Sequence, residues 1–91
     1  MKKYRPNRKS AIALNYDEEQ DQAPHVVAKG EGLIAEEIIN RASEAEVPVY
    51  EDETLVQLMN ELNINESIPE DLYQAVAEVF AFIYQSDQKY I

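Results

Sequence analysis

Two short stretches near the beginning of the chain have the hydrophobic pattern of β-strands. In residues 10–16, large apolar or aromatic side chains alternate with small ones, which is the period of two that is typical of a strand. The small side chains on the opposite face indicate that another element packs closely there. Residues 25–29 predict a second strand, and the acidic residues 17–22 predict a solvent-exposed loop between the two.

The next part of the chain predicts a turn, a helix and a third strand. Residues 29–32 hold both glycines of the protein, so we predict a turn there at which a helix begins. Residues 33–45 carry apolar side chains at spacings of three and four, which predicts an amphipathic helix. Residues 47–51 predict a strand, and Pro48 favours an edge position or a strand start. Strand, helix and strand in this order predict a right-handed βαβ unit with parallel strands.

Two more helices are predicted in the second half of the chain. Asp52 precedes residues 53–62, whose apolar spacing predicts a short helix with Asp52 as its N-cap. Ser67 and Glu70 have the spacing of a capping box at the start of a helix over 69–86. This last helix should be the longest and contribute most to the core. The predicted fold is therefore α/β, with a small mixed sheet of about three strands packed by three helices.

Composition indicates one small domain without covalent or metal staples. The chain has 91 residues, is 45% hydrophobic and has no cysteine, so disulfides and cysteine-based zinc sites are excluded. No apolar run approaches the roughly 20 residues needed to cross a bilayer, and we therefore expect no integral membrane segment and a cytoplasmic location. We predict a flexible basic arm over 1–9, a folded domain over 10–86 and a short tail over 87–91.

The distribution of charge is uneven. The formal net charge is −10, but five of the basic residues lie within the first nine positions (Lys2, Lys3, Arg5, Arg8 and Lys9). The acidic remainder repels nucleic-acid phosphate and anionic lipid, so we predict no nucleic-acid partner. An adaptor that binds nucleic acid or a membrane surface through residues 2–9 stays as an alternative.

The candidate catalytic residues do not form a recognisable set. His25 is the only histidine, and a single histidine without cysteine cannot build a histidine-based metal site. Residues 29–32 lack the pattern of a phosphate-binding loop, and the acid pairs lie in positions predicted to be solvated. We therefore expect no catalytic residue, no metal and no cofactor, and hence a non-enzymatic binding module, with His25 a half-exposed strand residue.

Four segments, taken together in their order and spacing, resemble a known family. The chain is similar to the cytoplasmic C-terminal domain of the FlhB family, which acts as the substrate-specificity switch of flagellar and related type III export. The similarity runs from about Ser10 to Ile83. The segments that carry it are AIALNYDEE (11–19), APHVVAKGEG (23–32), VPVYED (47–52) and IPEDLYQAVAEVFAF (68–82).

The resemblance also implies what this chain lacks. In the family the domain follows four transmembrane helices and cleaves itself between Asn and Pro of an N-P-T-H motif. That motif would occupy residues 6–9, where this chain has Pro6, Asn7, Arg8 and Lys9. Proline has no side-chain amide to attack the main chain, so we expect no self-cleavage, and a self-cleaving enzyme is the least favoured alternative. The chain is expected to be a free-standing copy of the part that follows the cut.

The family's ligand site can be placed on this sequence. The resemblance implies a shallow apolar pocket for a short hydrophobic motif of rod- and hook-type export substrates, formed where the A-P pair meets the last helix. From residue types alone, we would favour core packing as the role of the four residues that would form the walls of this pocket. The pocket would have Ala23 and Pro24 on one wall and Ala77 and Phe80 on the other, with Tyr73 and Val76 lying deeper.

The function implied is that of an interaction module of the flagellar export apparatus, located in the cytoplasm or peripherally at the base of that apparatus. Its expected partners are export substrates, the hook-length control protein and export-gate components. A cytosolic regulator or decoy that binds substrates without joining the apparatus is an alternative. Because the strand that precedes residues 10–16 in the family is missing, we hypothesise that this edge accepts a strand from the N-terminal part of a full-length FlhB or from a second copy.

Overall fold

The computed structural model describes residues 9–88, which form a two-stranded sheet and three α-helices. In chain order the elements are β1 (Ser10–Asn15), β2 (His25–Glu31), α1 (Leu33–Glu44), α2 (Glu53–Met59), a 3-10 turn (Glu70–Leu72) and α3 (Tyr73–Gln88). Two predicted strands and all three predicted helices are thus confirmed, with ends that differ by a few residues, and α3 is the longest element. Of the predicted basic arm, all but Lys9 lies outside the described residues.

The two strands form an antiparallel hairpin. Ser10 lies opposite Glu31 and Ala13 opposite Ala28, and a bulge follows Ala13. The acidic connection between the strands is largely exposed, as predicted, and it contains a turn in which the Asp17 carbonyl accepts hydrogen bonds from the amides of Gln20 and Asp21. The hairpin therefore comes from local pairing of neighbouring strands.

The predicted third strand at 47–51 is wrong, and the parallel βαβ unit is wrong with it. Residues 47–52 are irregular and exposed, and the sheet within residues 9–88 contains only β1 and β2. A strand needs a neighbour with which it exchanges main-chain hydrogen bonds. Pro48 has no amide to donate, and the Val47 amide instead donates to the carbonyl of Ala42 at 2.8 Å. The apolar pattern of this segment therefore does not lead to pairing.

One face of the hairpin carries small residues, and α1 packs on this face. Ala11 and Ala35 are buried there. A Cβ atom at Gly30 would overlap the side chain of Ile34 on α1, so only glycine allows the helix to approach this closely. The prediction of close packing on the small-residue face is confirmed.

The turn predicted at 29–32 is confined to one residue. β2 continues to Glu31, and Gly32 has φ 63° and ψ −126° where it precedes α1. Side chains other than hydrogen strongly disfavour this conformation. The two glycines therefore serve different purposes, since Gly30 allows close packing and Gly32 allows the turn.

The opposite face of the hairpin holds the main hydrophobic core. Its centre is Val26, which is completely buried. Residues of α2, α3 and the connection between them surround it, and half-buried side chains of β1 complete the cluster. The buried members are Ala23, Val26, Leu55, Met59, Leu62, Ile68 and Val76.

Side-chain hydrogen bonds stabilise the start of the short helix α2 and the main chain just after its end. At its start, Oδ1 of Asp52 accepts a hydrogen bond from the Leu55 amide at 3.0 Å, which confirms the predicted N-cap. Beyond its end, the Lys29 ammonium donates to the carbonyl oxygens of Asn60 and Leu62 at 3.1 and 2.7 Å. A cation is favourable at a helix C-terminus, where carbonyl groups lack partners.

The capping box predicted for the last helix is wrong. Pro69 is the N-cap residue of the 3-10 turn that leads into α3, and no side chain caps it. Ser67 instead forms an isolated bridge with His25, because the segment before the helix is extended and bonded to the start of β2. The spacing of Ser67 and Glu70 was correct for a capping box, but Ser67 lies too far ahead of the helix to act as its cap.

Candidate functional site: an apolar groove beside the hairpin

An apolar groove lies between the beginning of β2 and α3. Its volume is about 190 Å³. All four residues that the resemblance placed in a pocket line it, together with five others. The lining residues are Tyr16, Gln22, Ala23, Pro24, Ile68, Tyr73, Val76, Ala77 and Phe80.

Main-chain hydrogen bonds hold the first wall of this groove in place. The Ile68 amide donates to the Pro24 carbonyl at 2.9 Å, and the Val26 amide donates to the Glu66 carbonyl at 2.9 Å. The Asn65 amide in turn donates to the Val26 carbonyl at 2.6 Å. Ala23 and Pro24, both buried, are thus fixed against the segment that leads into α3.

One side of α3 forms the second wall. Its lining residues have helical spacings of three and four, which place them on a common side of the helix. Val76 is 2% exposed and forms the floor, as predicted. Tyr73 was also expected to lie deep, but it is 42% exposed, because it is the first residue of α3 and lies at the rim. Ala77 is exposed, and its small side chain leaves the groove open above Val76.

Two aromatic rings are in contact at the edge of the groove. The ring centroids of Tyr16 and Phe80 are 6.1 Å apart with an interplanar angle of 33°. Tyr16 follows β1 directly, so the hairpin, and not only the A-P pair, contributes to the site.

Sequence reasoning missed three of the lining residues. Tyr16 was interpreted only as a strand residue, and Gln22 only as part of the acidic loop. Ile68 had no usable signal, because the hydrogen bonds that bring it to Pro24 involve main-chain atoms alone.

The chemistry of the groove suits apolar side chains. None of its nine lining residues is charged, and the polar side chains are those of Gln22 and two tyrosines. Sites for small-molecule cofactors usually have volumes of about 300–1,000 Å³, so this groove is smaller than a typical cofactor site. It has room for one or two apolar side chains of a peptide.

The other sequence-predicted residues lie away from the groove's lining. His25 is half-buried at the start of β2, with Nδ1 3.8 Å from Oδ2 of Asp21. Lys9 is exposed, and its carbonyl accepts a hydrogen bond from the Gly32 amide at 2.8 Å. Pro6, Asn7 and Arg8, the other positions of the altered cleavage motif, lie outside the described residues.

Neither a membrane span nor a metal cluster occurs in the part of the chain that the structure describes. Over residues 9–88, no helix combines the length and the apolar character needed to cross a bilayer. In the same range, no group of three or more His, Asp or Glu side chains is placed to hold a metal ion.

Comparisons with known proteins relate the chain to bacterial protein export. The model of the FlhB HrpN YscU SpaS family matches residues 7–83. The uncharacterized protein YlqH of Bacillus subtilis is 52% identical over 88 residues, a match that covers 97% of this chain and 94% of that protein. The flagellar biosynthetic protein FlhB of the same organism is 39% identical over 80 residues, which cover 87% of this chain but only 22% of FlhB.

A solved structure supports the same relation. The cytoplasmic domain of FlhB from Shewanella putrefaciens superposes with a TM-score of 0.83 at 31% sequence identity, covering 88% of this chain and 66% of that one. This chain therefore shares its fold with that cytoplasmic domain, and it spans about a fifth of the full-length FlhB of Bacillus subtilis. From the matched residues and the shared fold, we conclude that the chain belongs to the FlhB HrpN YscU SpaS family.

Proposed function

We propose that this protein is a non-enzymatic interaction module of the flagellar type III export apparatus. Membership of the export-switch family supports a role in type III export. The observation that carries the finer proposal is that Ala23, Pro24, Ala77 and Phe80 line a single apolar groove. The module would bind a short hydrophobic segment of an export substrate or of the hook-length control protein.

The properties of the groove suit brief binding. A site that receives one or two side chains buries little area, and association must offset the loss of translational and rotational freedom. We therefore expect weak affinity and rapid exchange, which is appropriate for a module that hands substrates on. Export-gate components are the further partners proposed, at the cytoplasmic base of the apparatus.

The proposal is tested by titrating the ¹⁵N-labelled protein with a hydrophobic peptide taken from a flagellar rod or hook protein. Amide shifts should centre on Ala23, Ala77 and Phe80 and on the neighbours of Pro24, which has no amide itself. A serine-substituted version of the same peptide, with its apolar residues removed, should leave the spectrum unchanged. Shifts located elsewhere, or none at millimolar peptide, would reject the groove as the binding site.

A pair of matched variants tests the role of the groove lining. Ala77→Glu places a charged side chain in the groove, whereas Ala81→Glu makes the same change one turn further along α3 at an exposed residue outside the lining. We expect the first variant to lose binding by about tenfold or more, since a buried or partly buried charge is costly against an apolar ligand. The second should bind normally, and equal losses in both would contradict the proposal.

A further inference from the structure

The connection between β1 and β2 is an acidic turn at the edge of the groove. Four of the five residues 17–21 are acidic. Tyr16 and Gln22, the residues on either side of this segment, both line the groove. The acidic turn, residues 17–21, is therefore attached to the groove at both of its ends, and its charges lie close to any peptide bound there.

Hydrogen bonds within the acidic turn engage two of its carboxylates and leave the other two free. Oδ2 of Asp21 accepts a hydrogen bond from the Asp17 amide, and Oδ1 of Asp17 accepts one from the Glu19 amide, each at 3.0 Å. Asp17 and Asp21 thus stabilise the turn. The side chains of Glu18 and Glu19 are exposed and form no hydrogen bond or ion pair among residues 9–88. These two carboxylates are therefore available to a ligand.

Further acidic residues lie at the other end of the groove. The ring of Tyr16 contacts that of Phe80, so the acidic turn lies at the Phe80 end of the α3 wall. Tyr73 marks the opposite end, and the exposed Glu70 and Asp71 shortly precede it there. The positive end of the helix dipole partly offsets these two charges. The acidic turn therefore provides the stronger negative potential.

The lysine and arginine side chains among residues 9–88 belong to other parts of the fold. Lys9 precedes β1, at the end of the hairpin opposite Tyr16. Lys29 donates to main-chain carbonyls beyond the end of α2, and Arg41 pairs with Glu37 on α1. No lysine or arginine in that range therefore neutralises the acidic turn, and the groove combines an apolar floor with acidic ends.

We propose that the groove selects, among polypeptides with a short apolar motif, those in which lysine or arginine flanks the apolar residue. This inference rests on the proposed function, since it concerns the ligand of the same groove. The apolar side chain occupies the space above Val76, and the basic side chains reach the acidic residues at the two ends. Charge pairs of this exposed kind add little affinity each, but they favour the correct partner and speed its association.

The length of the groove sets the spacing expected in such a ligand. Tyr73 and Phe80 are seven residues apart on α3, and a rise of about 1.5 Å per residue separates them by about 10 Å along the helix. An extended peptide covers about 3.3 Å per residue. With the apolar residue at the centre of the groove, residues two positions before and after it reach just beyond the two ends. We therefore expect basic residues at these two positions.

The test titrates the ¹⁵N-labelled full chain with a synthetic nonapeptide that has leucine at its centre and lysine two positions to either side. Serine and glycine fill the other positions, and matched versions carry serine or glutamate in place of both lysines. At about 20 mM salt, the lysine peptide should bind about fivefold more tightly than the serine peptide, and the glutamate peptide about fivefold more weakly. At about 500 mM salt the three affinities should converge, because the charges are screened. Shifts of the Ala77 and Phe80 amides report occupation of the groove.

Two double variants with the same change in net charge test where the selecting charges lie. Glu18→Gln with Glu19→Gln neutralises the free carboxylates of the acidic turn. Glu36→Gln with Glu44→Gln neutralises two exposed carboxylates of α1, which packs on the small-residue face of the hairpin. We expect the preference for the lysine peptide over the serine peptide to fall from about fivefold to about twofold in the first variant only. Circular dichroism should show both variants folded.

The outcomes separate this proposal from the proposed function. Equal binding of the lysine and serine peptides at low salt would overturn the charge selection and leave groove binding intact. Failure of these peptides and of the rod or hook peptide to shift the groove amides would reject the groove itself, and the charge selection with it.

Two further results would also overturn the proposal. If the lysine peptide binds equally well after its leucine is replaced by serine, the acidic surface attracts it without the groove. If the groove amides shift with protein concentration in the absence of peptide, a second copy of this chain is the occupant.

Discussion

The two faces of the hairpin are packed by different means. On the small-residue face, the helix α1 approaches closely because Gly30 has no side chain, and Ala35 is the fully buried residue of that helix. On the other face, larger side chains surround Val26 and fill the space between the hairpin, α2 and α3. The α1 face thus requires a residue without a side chain at position 30, whereas the core face requires side chains large enough to fill its interior.

This difference determines which substitutions each face tolerates. Residues that fill a core are sensitive to truncation, because a cavity remains. A site where a helix approaches a strand closely is sensitive to larger side chains, because the added atoms overlap with the neighbouring element. The comparison predicts that smaller side chains damage the core face and larger ones damage the α1 face. Two substitutions test it, and a third tests the N-cap of the helix that carries two of the core residues.

The largest effect is expected for Met59→Ala on the core face. Met59 is 5% exposed and belongs to the buried cluster, so its truncation should lower the free energy of unfolding by about 2–5 kcal/mol. Urea denaturation followed by circular dichroism measures the change. Its neighbour Leu58 is 56% exposed, so Leu58→Ala is the control and should cost much less; similar losses in the two variants would show that the core does not lie where the structure places it.

An intermediate effect is expected for Gly30→Ala on the α1 face. The new Cβ would overlap the side chain of Ile34, and overpacking of this kind costs about 1–3 kcal/mol. The double variant Gly30→Ala with Ile34→Ala should recover most of this stability, because the overlapping atoms are removed. If the second substitution brings no recovery in urea denaturation, the contact between α1 and β2 is not the cause of the loss.

The smallest effect is expected for Asp52→Ala, at the start of the helix that carries Leu55 and Met59. Loss of the N-cap hydrogen bond to the Leu55 amide should cost about 1 kcal/mol. Asp52→Asn should retain most of the stability, since asparagine caps about as well. Thermal unfolding of both variants measures the difference, and an equal loss in the two would attribute the effect to charge and not to the cap.

The features that could be predicted from sequence are those that have local causes. The helical spacing of 33–45, the strand alternation of 10–16 and the capping role of Asp52 each depend on residues close together in the chain. The strand at 47–51 could not be judged in this way, because its pairing depends on a neighbour that its own residues do not specify. The capping box failed for a similar reason, since Ser67 is bonded to a distant strand.

The groove likewise has features that could be predicted and features that only the tertiary fold determines. Residue types alone favoured a core role for Ala23, Pro24, Ala77 and Phe80, and only the family resemblance pointed to a common pocket. That they line one groove is a property of the fold. Ile68 could not be predicted, because its position results from a main-chain hydrogen bond, and such bonds leave no mark on the type of side chain.

Main-chain hydrogen bonds between residues 65–68 and the start of β2 fix the position of one wall of the groove. The side chains that line the groove determine which ligand it binds. The side chains of Asn65, Glu66 and Ser67 are exposed, and the bonds that position the wall involve only amides and carbonyls. Asn65 has φ 76°, a conformation that favours asparagine or glycine, and the Glu66 carboxylate accepts a hydrogen bond from the Asn63 amide. Most residue types at position 67 could form the same main-chain bonds. The groove could then be engineered for a different ligand by exchanging residues of α3, with the opposite wall used unchanged as a scaffold.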